Sequence, residues 1–213
     1  MEAHHHTQSP GEELANTVSH AVGLVATLVA GPVLIASALR HGGLGTIVGA
    51  SVFLATAVLL YLFSTLYHAV QSAKAKRVFQ VLDHSAIFLL IAGTYTPFTL
   101  GVLRGVWGWA LLWTVWLLAA AGVALTATGQ LRNRTASTAL YVGMGWLMLV
   151  AVRPLWLRMP AMGFLWLGLG GVAYTAGVPF FAAHRRYSHF VWHLFVIAGT
   201  ACHFVAVMKY AVS

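Results

Sequence analysis

The chain has 213 residues, of which 60% are hydrophobic and only 8% charged, and a formal net charge of +8. So little charge cannot cover the surface of a soluble domain of this length, and the Lys and Arg residues form no basic patch interleaved with aromatics that would make a nucleic-acid binder. Apolar runs of the ~20 residues needed to cross a bilayer recur almost end to end, too long for the alternating strands of a membrane β-barrel. The predicted class is therefore all-α: a polytopic membrane protein of seven transmembrane helices.

Residues 1–13 read as a flexible polar tail without a secretory signal, and 14–213 as a single seven-helix transmembrane domain. His4, His5 and His6 in that tail read as solvated or tag sequence. The spans are predicted over 17–39, 46–70, 79–103, 106–128, 137–152, 162–181 and 189–210, the fifth being the shortest. Pro97 and Pro179 are expected to kink the third and sixth. Gly168, Gly170 and Gly171 follow no strand, so they read as close helix packing rather than a nucleotide loop. The single Cys202 rules out an internal disulfide and reads as a small core residue of the last span.

Orientation follows from the connections. With the N-terminus inside, the inner loops carry Lys74, Lys76, Arg77, Arg132, Arg134, Arg185 and Arg186, and the outer side carries Arg40, Arg104, Arg153, Arg158 and Lys209. The excess predicts a cytoplasmic N-terminus, an external C-terminus and residence in the cell membrane.

Asp83 is the only acidic residue after Glu13. A carboxylate at the edge of a span is costly and usually marks a functional site. Alternation of seven spans places the start of the first, the end of the second, the start of the third and the start of the seventh on one side. Those places hold His20, His68, Asp83 with His84, and His189 with His193. His189 and His193 are four apart and share a helix face. Two such imidazoles joined by His68 from another helix give three neutral nitrogens and an open position, the ligand set of a catalytic zinc site. The alternative for these three is a set of separately hydrogen-bonded histidines. Asp83 would accept a hydrogen bond from a water in the open position, or orient a ligand ring. Ser64, four before His68, either polarises a substrate carbonyl or bonds its own i−4 carbonyl, as Ser commonly does in membrane helices. His20 and His184 read as helix-end residues with wet tips, and His84 as packed polar. His203 lies ~15 Å further along the last helix than His193 and reads as a buried packing or pathway residue.

Several patches together resemble the hemolysin III family, the bacterial branch of the progestin and adipoQ receptor family that includes the adiponectin receptors. They are Glu13-x-x-Asn16-x-x-Ser19-His20, Ser64-x-x-x-His68, Leu82-Asp83-His84, Ala92-Gly93-Thr94-Tyr95-Thr96-Pro97, Ser188-His189-x-x-x-His193 and His203-Phe204. Ser19 stands where the first motif often has Thr, and keeps the hydroxyl. The resemblance implies a seven-helix fold with zinc (Zn2+) near the cytoplasmic face, held by His68, His189 and His193. It also implies that Asp83 and Ser64 lie close to the metal-bound water. Eukaryotic relatives are linked to ceramide hydrolysis, so the expected function is a zinc-dependent intramembrane hydrolase of a lipid amide or ester, with membrane lipid as substrate. The alternative is a non-enzymatic membrane protein, a cytolysin or receptor-like sensor, in which zinc is structural.

Overall fold

The structure, a computed structural model, describes residues 8–131, 133–183 and 185–212. His4–His6, Arg132 and His184 lie outside the described residues. Helices account for the elements, in the order α1 (Pro10–His41), α2 (Leu44–Ala69), α3 (Ala73–Pro97), α4 (Val106–Ala127), α5 (Arg134–Trp146), α6 (Val152–Trp156), α7 (Ala161–Ala182) and α8 (Ser188–Tyr210). Seven of the resulting segments are long and apolar enough to cross a membrane. Their outer faces carry exposed Val, Leu and Trp side chains, such as Val25, Leu28 and Val29 on α1. A continuous apolar exterior of that kind is what lipid covers. Exposed Trp107, Trp109 and Trp156 sit at the start of the fourth span and the end of the fifth, which share one side. Indole rings concentrate at that interfacial level.

α1 begins within the stretch expected to be tail, because its first turn is capped. The Ser9 hydroxyl accepts from the Glu12 amide, and the Glu12 carboxylate accepts from the Ser9 amide, with Pro10 at the first helical position. A reciprocal cap of this type satisfies donors that the helix start leaves open. Residues 10–13 thus belong to the helix.

The helices close into a ring in which α1 packs against α2 and α8, α2 against α3, α3 against α4, and α7 against α8, while α5 sits more loosely between α3, α4 and α7. Close approach depends on particular small residues. A Cβ on Gly93 would lie 2.0 Å from Thr56 Oγ1, so α2 and α3 meet at a distance only glycine allows. Gly170 makes the same room for the His203 ring, as the sequence suggests, whereas Gly168 faces open space and Gly171 only grazes Trp146. Pro97 ends the α-helical part of α3, and the chain continues as π-helix over Phe98–Leu103. Pro179 lies one turn before the end of α7. Cys202 is free and only partly buried, so it stands at the margin of the core.

The fifth span is broken. α5 passes into a 3-10 segment over Leu147–Ala151 and then into α6, before Pro154. Backbone groups freed inside a membrane need partners within the protein. Tyr95 of α3 supplies them: its hydroxyl donates to the carbonyls of Met144 (2.7 Å) and Gly145 (2.9 Å) and accepts from the Met148 amide (2.8 Å). This contact also fixes α5 against α3, where helix packing alone is thin.

Candidate metal centre

The ends of α2 and α8 meet at one level. The Ser188 hydroxyl donates to the Ala183 carbonyl, and the Tyr187 amide donates to Glu12 at 3.0 Å, so the first turn of α8 is tied to the first turn of α1. This sets His189 and His193 opposite His68. Ring nitrogens of the three histidines lie within 4.8 Å of one another. His68 and His193 are buried and His189 partly so. The ring centroids are 4.7–5.2 Å apart in tilted or edge-on pairs, so none covers another face to face.

Outer contacts settle which nitrogens face inward. Nδ1 of His68 donates to Glu13 Oε2 at 2.7 Å. Nδ1 of His193 donates to the Asn16 carbonyl at 3.2 Å and lies 3.0 Å from the Ser19 hydroxyl. Both rings are thereby held with Nε2 as the lone-pair nitrogen, and Nε2 of His68 is buried without a partner. An orphaned buried acceptor of this kind costs about 1–3 kcal/mol. Imidazole rings fixed through the second nitrogen are the usual arrangement of metal-ligating histidines. Three histidine nitrogens grouped this closely, two of them on rings fixed in this way, are a donor set that zinc accepts. The residues therefore fit a three-histidine divalent ion.

Asp83 and Ser64 both reach this place, on α3 and α2. Asp83 is 7% exposed and forms no salt bridge among the described residues. Ser64 and Asp83 line the same cavity. Ser64 does not bond its own i−4 carbonyl. The neighbouring Thr65 does, donating to the Tyr61 carbonyl at 2.7 Å. Ser64 is thus left as a buried hydroxyl without a partner.

A cavity extends from this cluster into the bundle. Ser64, Asp83, His84, His189, His193 and His203 line it together with the apolar Leu60, Ile87, Leu90, Val178 and Val196. His203 donates from Nε2 to the Leu167 carbonyl at 3.1 Å, which fits a buried packing residue. His20 departs from the expected wet helix end: it is 3% exposed and neither of its ring nitrogens has a hydrogen-bond partner. Its place in a helix that projects past the site, rather than at that helix's end, accounts for the difference. Arg134 donates to the carbonyl of Phe181, a residue of the cavity wall, and lies 4.3 Å over its ring.

With that geometry in place, comparison with known proteins gives the lineage. The sequence model of a family described as "Haemolysin-III related" matches residues 8–204. The chain belongs to this family. It is 43% identical to "Hemolysin-3" of Bacillus cereus, over 96% of this chain and 94% of the relative. It is 41% identical to "Hemolysin-3 homolog" of Bacillus subtilis (strain 168), over 94% and 95% respectively. A human protein named "Monocyte to macrophage differentiation factor" is 27% identical over 93% of this chain and 84% of its own length. The resemblance read from the motifs is borne out, and this haemolysin-III-related chain is a multi-pass membrane protein.

Reading the sequence alone missed the work of α1. Glu13, Asn16, Ser19 and His20 recur at three- and four-residue spacing, which marks one helix face. All four touch the histidine cluster or its ligand rings. The spacing is present in the motif Glu13-x-x-Asn16-x-x-Ser19-His20, although hydropathy alone places Glu13 in the tail.

Proposed function

We propose that the protein is a zinc-dependent intramembrane hydrolase acting on a lipid amide or ester. The observation that carries this reading is the grouping of three histidine side chains, two of which, His189 and His193, line an apolar-walled cavity together with Asp83 and Ser64. His68, His189 and His193 would hold the ion. Zinc, when bound, supplies a Lewis acid that polarises a carbonyl and makes water nucleophilic at neutral pH.

The chain's own residues supply the rest. Asp83 takes a proton from the attacking water and returns it to the leaving nitrogen or oxygen, the role of a general acid–base. The Ser64 hydroxyl donates to the substrate carbonyl oxygen as charge develops there. The apolar stretch from Leu60 to Val196 takes an acyl chain, which prefers this surface to water. The excess of Lys and Arg in the connections on the site's side supports a cytoplasmic location for the site, in the cell membrane.

The test is metal content by elemental mass spectrometry on protein purified without chelator or metal-affinity resin. About one zinc per wild-type chain and none in a folded His193→Ala variant is the expected result, on a three-ligand site. A screen of lipid amides and esters follows. Folded wild-type protein without metal would remove the basis for the hydrolase reading.

A further inference from the structure

Glu13 makes no contribution to the cavity wall, yet each of its carboxylate oxygens has a separate partner. Oε2 accepts from His68 Nδ1 at 2.7 Å, and Oε1 accepts from Lys76 Nζ at 2.5 Å. The His68 side chain is 1% exposed, that of Glu13 23% and that of Lys76 32%. The three residues come from different helix ends: the first turn of α1, the last turn of α2 and the first turn of α3. Lys76 is itself steered by the Tyr67 ring, 5.2 Å from its ammonium group.

We infer that Glu13, clamped by Lys76, is a positioning residue that sets the tautomer and the angle of the His68 ring. This inference rests on the metal reading given above. A carboxylate that accepts from Nδ1 commits Nε2 to carry the lone pair, and raises the ring's basicity as a ligand. A carboxylate bound on one oxygen only can swing about its stem. Lys76 on the second oxygen removes that freedom, and charge-assisted bonds at both oxygens are stronger than neutral ones. His193 receives its equivalent support from the Asn16 carbonyl, a backbone group that no substitution removes. His68 depends on a side chain, so its support is separable by mutation.

The experiment measures zinc affinity by competition with a chromophoric chelator, and the visible spectrum of the cobalt-loaded protein, on four purified chains: wild type, Glu13→Gln, Lys76→Met and Ser9→Ala. Glu13→Gln is expected to weaken zinc by about 10- to 100-fold, the usual loss when an outer partner of a ligand is removed, with an altered cobalt spectrum. Lys76→Met is expected to weaken it less, in the same direction. Ser9→Ala loosens the first turn of α1 without touching His68, and is expected to lower thermal stability while leaving affinity and spectrum unchanged. That control separates a role in the site from a role in holding helix ends together. Wild-type affinity and spectrum in Glu13→Gln overturn the inference while leaving the metal reading intact. Absence of metal from folded wild type overturns both. If Glu13→Gln does not fold, Lys76→Met decides, and wild-type affinity there overturns the clamp.

Discussion

The His20 imidazole lies flat on that of His193, with centroids 3.5 Å apart and planes 9° from parallel. Tyr61 meets the His20 ring edge-on, with centroids 5.1 Å apart. The stack braces the His193 ring. The same closeness makes His20 a candidate fourth ligand for a structural site. The two roles separate by substitution. If His20 braces, Phe keeps the stacking surface and His20→Phe retains more zinc affinity than His20→Ala. If His20 is a ligand, both variants lose metal alike, and a structural zinc becomes the better description. Equilibrium zinc binding on the two variants decides.

Asp83 is expected to serve turnover rather than metal binding. Asp83→Asn keeps the shape and removes the proton acceptor, so it should retain about one zinc per chain while losing turnover by about 100-fold or more, the range of general acid–base contributions. Turnover at the wild-type rate in purified Asp83→Asn, on any substrate found by the lipid screen, removes Asp83 from the chemistry.

Tyr95→Phe is expected to destabilise the bundle by about 1–3 kcal/mol, because it removes the hydroxyl that bonds the Met148 amide and the Met144 and Gly145 carbonyls at the break in the fifth span. The check is a thermal melt in detergent. The loss should concentrate in the exchange of amides between 144 and 148, read by hydrogen–deuterium exchange.

Gly93→Ala should cost about 1–3 kcal/mol through overpacking against Thr56. Combining it with Thr56→Gly should restore part of that loss, since residues in contact couple in double-mutant cycles. Additive losses would place the strain elsewhere than at the α2–α3 contact.

The orientation predicts a labelling pattern in a Cys202→Ser background. An impermeant maleimide added to intact cells should label Leu157→Cys, in the exposed connection before α7. It should label Gln71→Cys, between α2 and α3, only after the membrane is opened. The reverse pattern would put the histidine cluster on the outer face and turn the charge argument round.

Seven spans were legible because hydropathy is a local property and the breakers fall between the apolar runs. The grouping of His68, His189 and His193 was legible too, since alternation alone sets the level of each helix end. The limits of local reading show at His20 and Tyr95. Which face of α1 meets α8 depends on the crossing of the two helices, so a histidine one turn from the expected span start read as wet when it is buried and stacked. Tyr95 repairs a break 49 residues further along, and nothing near it in sequence announces the missing partners. Glu13 fell on the wrong side of a boundary drawn by hydropathy, which does not register a cap such as that of Ser9 and Glu12.

The ties between the first turn of α1 and the first turn of α8 have a consequence for biogenesis. Glu12 reaches the Tyr187 amide across 175 positions of sequence. Glu13 and His68 are synthesised early and can meet as soon as the second helix is inserted, but His189 and His193 arrive only with α8. The three-imidazole set therefore does not exist in a truncated or partly inserted chain. On the proposed metal reading, ion capture would be confined to the finished bundle, and the centre would double as a mark of complete insertion.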